Sequence, residues 1–240
     1  MILEFLGTRG YIKARTQLHF RHSSCRVSFR GRAVVIDCGE DWQGQAREMG
    51  AEAFVVTHAH PDHAFGLRAG APCPVYATSE TWESLADFRI RDRRVMPPRQ
   101  PQEIAGITFE AFPVVHSTRA PATGYRVSAG GVIVFYVPDV ISIPDRDAAL
   151  AGARVYIGDG ASVTRPQVRQ REGSVFGHTT VRAQLGWCLA ERVPRAIFTH
   201  CGTEITEADP AELVTRVAAL GRQKGVEAMV AHDGLKVTLR

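Results

Sequence analysis

The chain has 240 residues, 45% of them hydrophobic and 22% charged, and its formal net charge is +4. This is the composition of a globular protein, and the length suits a single domain over residues 1–240. No run of 18 apolar residues occurs, which argues against a membrane-spanning helix and a membrane partner. A charge of +4 is too small to indicate nucleic-acid binding.

The N-terminus and the cysteines both bear on the compartment in which the chain works. The first ten residues read MILEFLGTRG and lack the basic start and long apolar segment of a signal peptide, so we expect a cytoplasmic protein. The five cysteines are odd in number and form no C-x-x-C pair. This argues against a disulfide framework and against a zinc site built from four cysteines.

Strand patterns dominate the first part of the chain. A short helix is predicted to end at Gly50. The apolar run AFVVT (residues 53–57) is typical of a strand buried on both faces. The next strand, PVYAT (residues 74–78), precedes a helix that Ser79 is placed to cap. The earlier strands are predicted at Ile2–Leu6, Arg26–Phe29 and Ala33–Ile36.

Strands and helices alternate in the second part. A strand at Ile107–Val115 is followed by a hairpin around Gly130 and Gly131. One helix is predicted to begin near His178 and another near Pro210. The most economical packing of this pattern is two sheets face to face with helices outside. Metal-capable side chains follow the apolar strands, and in such a sandwich these strand ends converge on one rim: His58, His116, Asp139, Asp159 and His200.

The stretch THAHPDH (residues 57–63) predicts a metal site by itself. His58 and His60 point the same way in an extended backbone and can bind one ion. Pro61 ends that extended piece, so Asp62 and His63 project in a new direction and can hold a second ion. Imidazole nitrogen and carboxylate oxygen suit zinc, manganese or iron better than calcium. A polar loop with surface histidines is the alternative interpretation.

One loop cannot complete two coordination shells, so partners are required from elsewhere. A carboxylate has two oxygens and can bridge two ions, and Asp139 is the natural candidate. We therefore expect two divalent ions, with zinc preferred over manganese or iron, and a bridging hydroxide between them. The first site is predicted to use His58, His60, His116 and Asp139, and the second Asp62, His63, His200 and the same Asp139.

The order of motifs along the chain resembles one known family. The stretch THAHPDH and the order of the later motifs together resemble those of the metallo-β-lactamase-fold hydrolases, in particular their ribonuclease Z-like and phosphodiesterase branch. The resemblance implies an α/β fold, a four-layer αβ/βα sandwich of two mixed β-sheets with helices outside, and metals on the rim. Relatives usually have Gly-Asp where this chain has Pro138-Asp139. The motifs are LGTRG, RHSSCRVSF, VVHS, GYRV, VPDV, GHTT and FTHCG.

The resemblance also implies catalytic residues. His178 in GHTT matches a histidine that serves as proton donor and is not a ligand, and Asp159 matches the acidic residue that orients it. Together with Asp62 they form the predicted catalytic set. A phosphodiester releases an alkoxide that needs a general acid, and histidine suits that role near neutral pH. At the N-terminus of a helix, however, the pKa of His178 would fall unless Asp159 offsets the helix dipole.

The predicted function is hydrolysis of a small or cyclic phosphodiester. A thioester or lactone hydrolase of the glyoxalase II type would keep the same ligands without needing His178. An iron-dependent oxygenase is disfavoured because diiron members place a carboxylate where this chain has His60. A non-catalytic metal-binding module is the remaining alternative, and a complete ligand set with an additional acid argues against it.

We do not expect tRNA as a partner. Ribonuclease Z enzymes that bind tRNA usually carry an arm between the third metal histidine and the bridging aspartate, but His116 and Asp139 are only 23 positions apart. The densest basic segment, Arg89–Arg99, is predicted to be a solvated loop and is the sole basic candidate for RNA contact. The sequence leaves open whether this segment, His22 or His232 contacts the substrate. It also leaves open whether the protein forms a homodimer.

Overall fold

The computed structural model describes residues 1–171 and 173–240, and two mixed β-sheets of seven strands dominate it. The first sheet runs in spatial order β16 (Lys236–Thr238), β1 (Ile2–Gly7), β2 (Ser24–Phe29), β3 (Arg32–Ile36), β4 (Ala53–Val55), β5 (Val75–Ala77) and β6 (Arg93–Val95). Neighbours are antiparallel from β16 to β3 and parallel from β3 to β6.

The second sheet has the same mixed character. It runs in spatial order β15 (Glu227–Val230), β14 (Arg195–Thr199), β11 (Val155–Asp159), β10 (Val132–Tyr136), β9 (Ala122–Ala129), β8 (Ile107–Val114) and β7 (Gln102–Ile104). Neighbours are parallel from β15 to β10 and antiparallel from β10 to β7. A separate hairpin consists of β12 (Arg169–Arg171) and β13 (Ser174–Phe176).

The helices lie outside the sheets. Short 3-10 turns occur at Glu40–Trp42, Ala46–Met49 and Phe65–Leu67. In the part of the chain described here, every helix is too short or too polar to cross a membrane. The α-helices are α1 (Pro61–Ala64), α2 (Ser79–Ser84), α3 (Arg146–Leu150), α4 (Val181–Ala190), α5 (Thr203–Thr206) and α6 (Pro210–Arg222).

Three apolar clusters arrange these elements in four layers. The central cluster joins side chains of both sheets, such as Val55 of the first and Val134 of the second. Successive strand residues point to opposite faces, so Phe54 and Phe135 pack outward instead, each into a cluster that contains helical side chains. The predicted αβ/βα sandwich with helices outside is therefore confirmed.

Several local predictions need correction. Thr78, not Ser79, caps α2, because its side chain accepts from the Thr81 amide. The helix α4 begins at Val181 and not near His178, since Thr180 Oγ1 accepts from the Ala183 amide at 3.0 Å and fixes the start there.

The basic and histidine-containing loops also differ from expectation. Part of the segment Arg89–Arg99 forms the edge strand β6 and is not simply a loop. The polar stretch that contains His19 and His22 is not a solvated loop, because both side chains are buried. His22 Nδ1 lies 3.1 Å from Asp41 Oδ2, so a charged network and not solvent surrounds it.

Candidate metal centre

Loops at one rim of the sandwich bring the predicted ligands together. THAHPDH leaves the first sheet after β4. Second-sheet residues follow β8, β10 and β14, namely His116, Asp139 and His200. His200 adopts a left-handed backbone with φ 53°. Such strain in a residue other than glycine persists where surrounding structure enforces it, and it is common at functional sites. All seven predicted ligands meet at this rim.

The first cluster consists of His58, His60, His116 and Asp139, each with one potential ligand atom within 4.8 Å of the others. His60 Nδ1 lies 2.9 Å from His58 Nε2 and 3.4 Å from His116 Nε2. Asp139 Oδ2 lies 3.4 Å from His58 Nε2 and 3.3 Å from His116 Nε2. Three imidazoles and a carboxylate that converge in this way can bind a divalent cation.

The second cluster consists of Asp62, His63 and His200. Asp62 Oδ2 lies 2.9 Å from His200 Nε2 and 3.3 Å from His63 Nε2. Asp139 Oδ2 lies 3.4 Å from His63 Nε2 as well. The same carboxylate oxygen therefore approaches both clusters, which is the position that a bridging ligand requires.

Buried polar atoms without partners test whether these residues fit metal. His63 Nε2, His200 Nδ1 and Asp139 Oδ1 are buried and form no well-directed hydrogen bond among the described residues, although His200 Nδ1 and Asp139 Oδ1 lie only 2.9 Å apart. Bound cations would satisfy this set of nitrogens and oxygens, so the residues fit a pair of divalent ions.

The charge states within the clusters also suit metal. Burial lowers the pKa of His60 to about 4, so its ring is neutral with a lone pair to donate. Burial raises the pKa of Asp139, but the neighbouring histidines, His200 foremost, outweigh burial and hold that pKa well below its usual range. Burial lowers the pKa of His200, but Asp139 and Asp62 outweigh it and raise that pKa to about 10. A cation binding here therefore displaces a proton.

Residues behind the clusters orient the rings. His63 Nδ1 donates to Asp37 Oδ2 at 2.8 Å, and Asp37 Oδ1 accepts from the Thr57 amide at 2.8 Å. His116 Nδ1 donates to the carbonyl oxygen of Gly177 at 3.0 Å. In both rings this leaves Nε2 facing the centre, which is how partners behind a ligand histidine fix its tautomer. Asp37 therefore orients His63 and contacts the backbone of the loop that carries it.

His178 lies beside the clusters and is bonded to Asp159. Its Nδ1 donates to Asp159 Oδ2 at 2.8 Å, so its Nε2 is the nitrogen left to face the cleft. The Asp159 carboxylate also accepts from the amides of Val140 and Ala161, at 3.0 and 2.8 Å. Burial lowers the pKa of His178, but Asp159 outweighs burial and the pKa is raised. Asp159 thus offsets burial, whereas the expected effect of a helix dipole does not arise because α4 begins only at Val181.

Comparisons with known proteins assign the family. A family described as the beta-lactamase superfamily domain matches residues 32–201. The chain belongs to this superfamily. Ribonuclease Z of Methanopyrus kandleri is 26% identical, covering 100% of this chain and 98% of the relative. Coenzyme PQQ synthesis protein B of Methylorubrum extorquens is 27% identical over 80% of this chain and 75% of the relative.

A solved structure agrees with the fold assignment. It is described as a new diphosphatase from the PhnP family and superposes with a TM-score of 0.72. It is 22% identical to this chain and covers 98% of it, and the match spans 96% of that protein. The chain is a metal-dependent hydrolase of the metallo-β-lactamase fold.

In this superfamily member a cleft of about 550 Å³ is lined in part by the candidate ligands His60, Asp62, His116, Asp139 and His200. Its size falls within the range of roughly 300–1,000 Å³ that small-molecule sites span. Much of the cleft wall comes from three segments that the sequence analysis did not assign to the site. They are the loop Gly10–Ile12, the loop Ser117–Arg119, and the β12–β13 hairpin with its flanks, which supply Gln167, Ser174 and Phe176.

The other candidates for substrate contact lie outside the cleft lining. His22 and His232 are absent from the cleft lining, and so is every residue of Arg89–Arg99. Several of those arginines have local partners: Arg94 pairs with Asp92 and Arg99 with Glu110. The hairpin was missed because Arg169–Arg171 carries no apolar alternation. The one available signal was its position directly before the GHTT motif.

Proposed function

We propose that the protein hydrolyses a small or cyclic phosphodiester with the help of two divalent ions. Zinc is the preferred metal, with manganese or iron as alternatives. The observation that carries this proposal is the His178–Asp159 pair beside two clusters, with Asp139 Oδ2 close to both of them. A hydrolase that releases a poor leaving group needs all three parts, whereas a non-catalytic metal module needs only the clusters.

Each residue of the centre has a proposed role. His58, His60, His116 and Asp139 would hold one ion, and Asp62, His63, His200 and Asp139 the other. When bound, such a metal pair supplies an activated water and stabilises charge on the phosphate. Asp62 lines the cleft, which also allows its carboxylate to accept a hydrogen bond from the attacking water.

His178 is the proposed general acid. Its Nδ1 is committed to Asp159, so Nε2 carries the proton that moves to the leaving oxygen. The raised pKa keeps more of the ring protonated near neutral pH. Once the P–O bond breaks, this proton neutralises the alkoxide, and Asp159 stays ionised and holds the ring in place. A thioester hydrolase releases a thiolate, which needs no such donor.

Matched substrates test the proposed acid. Zinc-loaded protein is expected to cleave bis(p-nitrophenyl) phosphate and to leave nitrocefin intact. His178→Ala should keep its metal but lose roughly 10²–10⁴-fold in rate on a 2′,3′-cyclic nucleotide, whose leaving group is an alkoxide. The loss on bis(p-nitrophenyl) phosphate should be much smaller, because p-nitrophenolate leaves without a proton.

The control is His232→Ala, which removes a histidine outside the cleft lining and should behave as wild type. Equal losses on both diesters would remove His178 from the acid role. Much faster turnover of a lactone or glutathione thioester than of any phosphodiester would reject the proposed function itself.

A further inference from the structure

Arg119 stands out among the side chains that surround the cleft. Apart from the phenol of Tyr11, the charged or ionisable lining groups are His60, Asp62, His116, Asp139, His178 and His200, all assigned to the centre, and Arg119. Within residues 1–171 and 173–240, Arg119 is the one lining residue with a permanent positive charge. The chemistry proposed above assigns it no task.

The loop that carries Arg119 is anchored to the metal centre at one end. It leaves His116 directly, and Ser117 forms a backbone bridge with Phe176 of the hairpin. The Arg119 amide donates to Ser117 Oγ at 3.3 Å. The side chain of Arg119 is exposed, whereas His58 and Asp139 are only 0% and 3% exposed. Arg119 therefore lines an exposed part of the cleft, whereas these proposed metal ligands are buried.

The guanidinium has no acidic partner in the described part of the chain. Arg94 and Arg99, by contrast, are paired with carboxylates outside the cleft. Guanidinium groups bind carboxylate and phosphate through two parallel hydrogen bonds, so an unpaired one in a cleft is a ready oxyanion site.

A simple phosphodiester carries one negative charge, and the proposed metal centre accounts for it. Arg119 is more exposed than the proposed ligands, and the lining also contains neutral side chains, among them Tyr11, Ile12 and Phe176. We propose that Arg119 binds a second oxyanion of the substrate, so that the substrate is a phosphodiester with an additional carboxylate or phosphate group. This proposal rests on the function proposed above and specifies its substrate class.

Three p-nitrophenyl phosphodiesters test this proposal. They share the same leaving group and alkyl arm, and the arm ends in a methyl, a carboxylate or a phosphonate group. Wild-type zinc-loaded protein should prefer one of the two charged diesters over the methyl diester. Arg119→Ala should lower kcat/KM for that charged diester by about ten- to a hundredfold and for the methyl diester far less. The kcat/KM of Arg119→Lys for that charged diester should lie between those of wild type and Arg119→Ala. Lysine keeps the positive charge but cannot form two parallel hydrogen bonds.

Arg91→Ala is the matched control, since Arg91 is exposed but lies outside the cleft lining. It should match wild type on all three diesters. Whether the carboxylate or the phosphonate gains more from Arg119 identifies the oxyanion. No preference in wild type, or equal losses on charged and methyl diesters in Arg119→Ala, would overturn the proposal.

A binding measurement separates this inference from the proposed function. Calorimetry with zinc-loaded protein should show that alkylphosphonates bind more tightly when they end in a carboxylate or second phosphonate, and that Arg119→Ala removes the difference. This result without hydrolysis of any diester would support the oxyanion site and reject the phosphodiesterase. Hydrolysis without a difference in binding would do the reverse.

Discussion

Asp139 approaches both clusters through one oxygen, with Oδ2 at 3.4 Å from His58 Nε2 and at 3.4 Å from His63 Nε2. Asp139→Ala removes a ligand from both proposed sites and leaves like-charged or unpaired histidines behind. We expect the variant to retain no metal, or one weakly held ion, after dialysis. Metal analysis per chain measures this directly.

The control for that variant is Asp87→Ala, which removes a carboxylate that belongs to none of the clusters and has 66% of its side chain exposed. It should retain as much metal as the wild type. Two tightly held ions and unchanged activity in Asp139→Ala would show that the carboxylate does not bridge.

Individual ligand candidates could be predicted because each one leaves a local trace. Asp139 and His200 follow apolar runs closely, and a polar side chain at the end of a buried strand is unusual enough to indicate a function. The residues that form hydrogen bonds to the ligand histidines have no such signal in the sequence. The carbonyl of Gly177 that holds His116 is 61 positions away along the chain. Arg119 is one arginine among many until the fold places it in the cleft.

The hairpin formed by β12 and β13 is tied to the centre through Gly177. The amide of Gly177 donates to the His116 carbonyl at 3.1 Å, and its own carbonyl accepts from His116 Nδ1. Gly177 has φ 128°, and a Cβ there would lie 1.9 Å from the backbone oxygen of Gln167. Only glycine fits this place without a backbone shift.

Gly177→Ala should therefore displace the carbonyl that orients His116. We expect zinc affinity to fall about 10–100-fold, as is typical when a partner behind a ligand is lost. A competition titration against a chromogenic chelator measures it. Gly173→Ala is the matched control, because Gly173 also has a positive φ of 77° but open space around its Cβ position. Wild-type zinc affinity in Gly177→Ala would show that His116 does not depend on this contact.

Elements differed in how far the sequence could predict them. Continuous apolar runs predicted the strands β4, β10 and β14, because burial on both faces leaves no other pattern. The polar strand Arg93–Val95 pairs only at a sheet edge, and Arg169–Arg171 pairs only within its own hairpin. Tertiary context decides such strands, so periodicity cannot reveal them.

The centre is completed only when the two sheets pack together. The loop after β4 of the first sheet supplies His58, His60, Asp62 and His63, and loops of the second sheet supply His116, Asp139 and His200. Neither sheet supplies all the ligands proposed for either ion, so we expect metal binding to be coupled to the packing of the sheets. The apolar cluster between the sheets therefore sets the distances at the rim as well as stabilising the fold.

The shape of the whole molecule also bears on tRNA. The interval between His116 and Asp139 is filled by β9 and β10, which pair in register from Ala129 and Val132 onward around a tight turn. No room for a projecting arm remains in that interval. Phosphate contacts dominate nucleic-acid affinity, so a protein without a basic arm should bind tRNA weakly. We therefore expect little or no cleavage of precursor tRNA, although relatives include ribonuclease Z.

A gel assay with precursor tRNA measures this, with bis(p-nitrophenyl) phosphate as the control that the enzyme is active. Efficient single-site cleavage at nanomolar enzyme would contradict the prediction. The basic residues to replace would then be Arg165 and Arg169, because they flank Gln167, which lines the cleft. Arg91 would serve as the comparison, since it belongs to the basic segment outside the cleft. Loss of cleavage in Arg165→Ala and Arg169→Ala, but not in Arg91→Ala, would assign RNA contact to the hairpin side of the cleft.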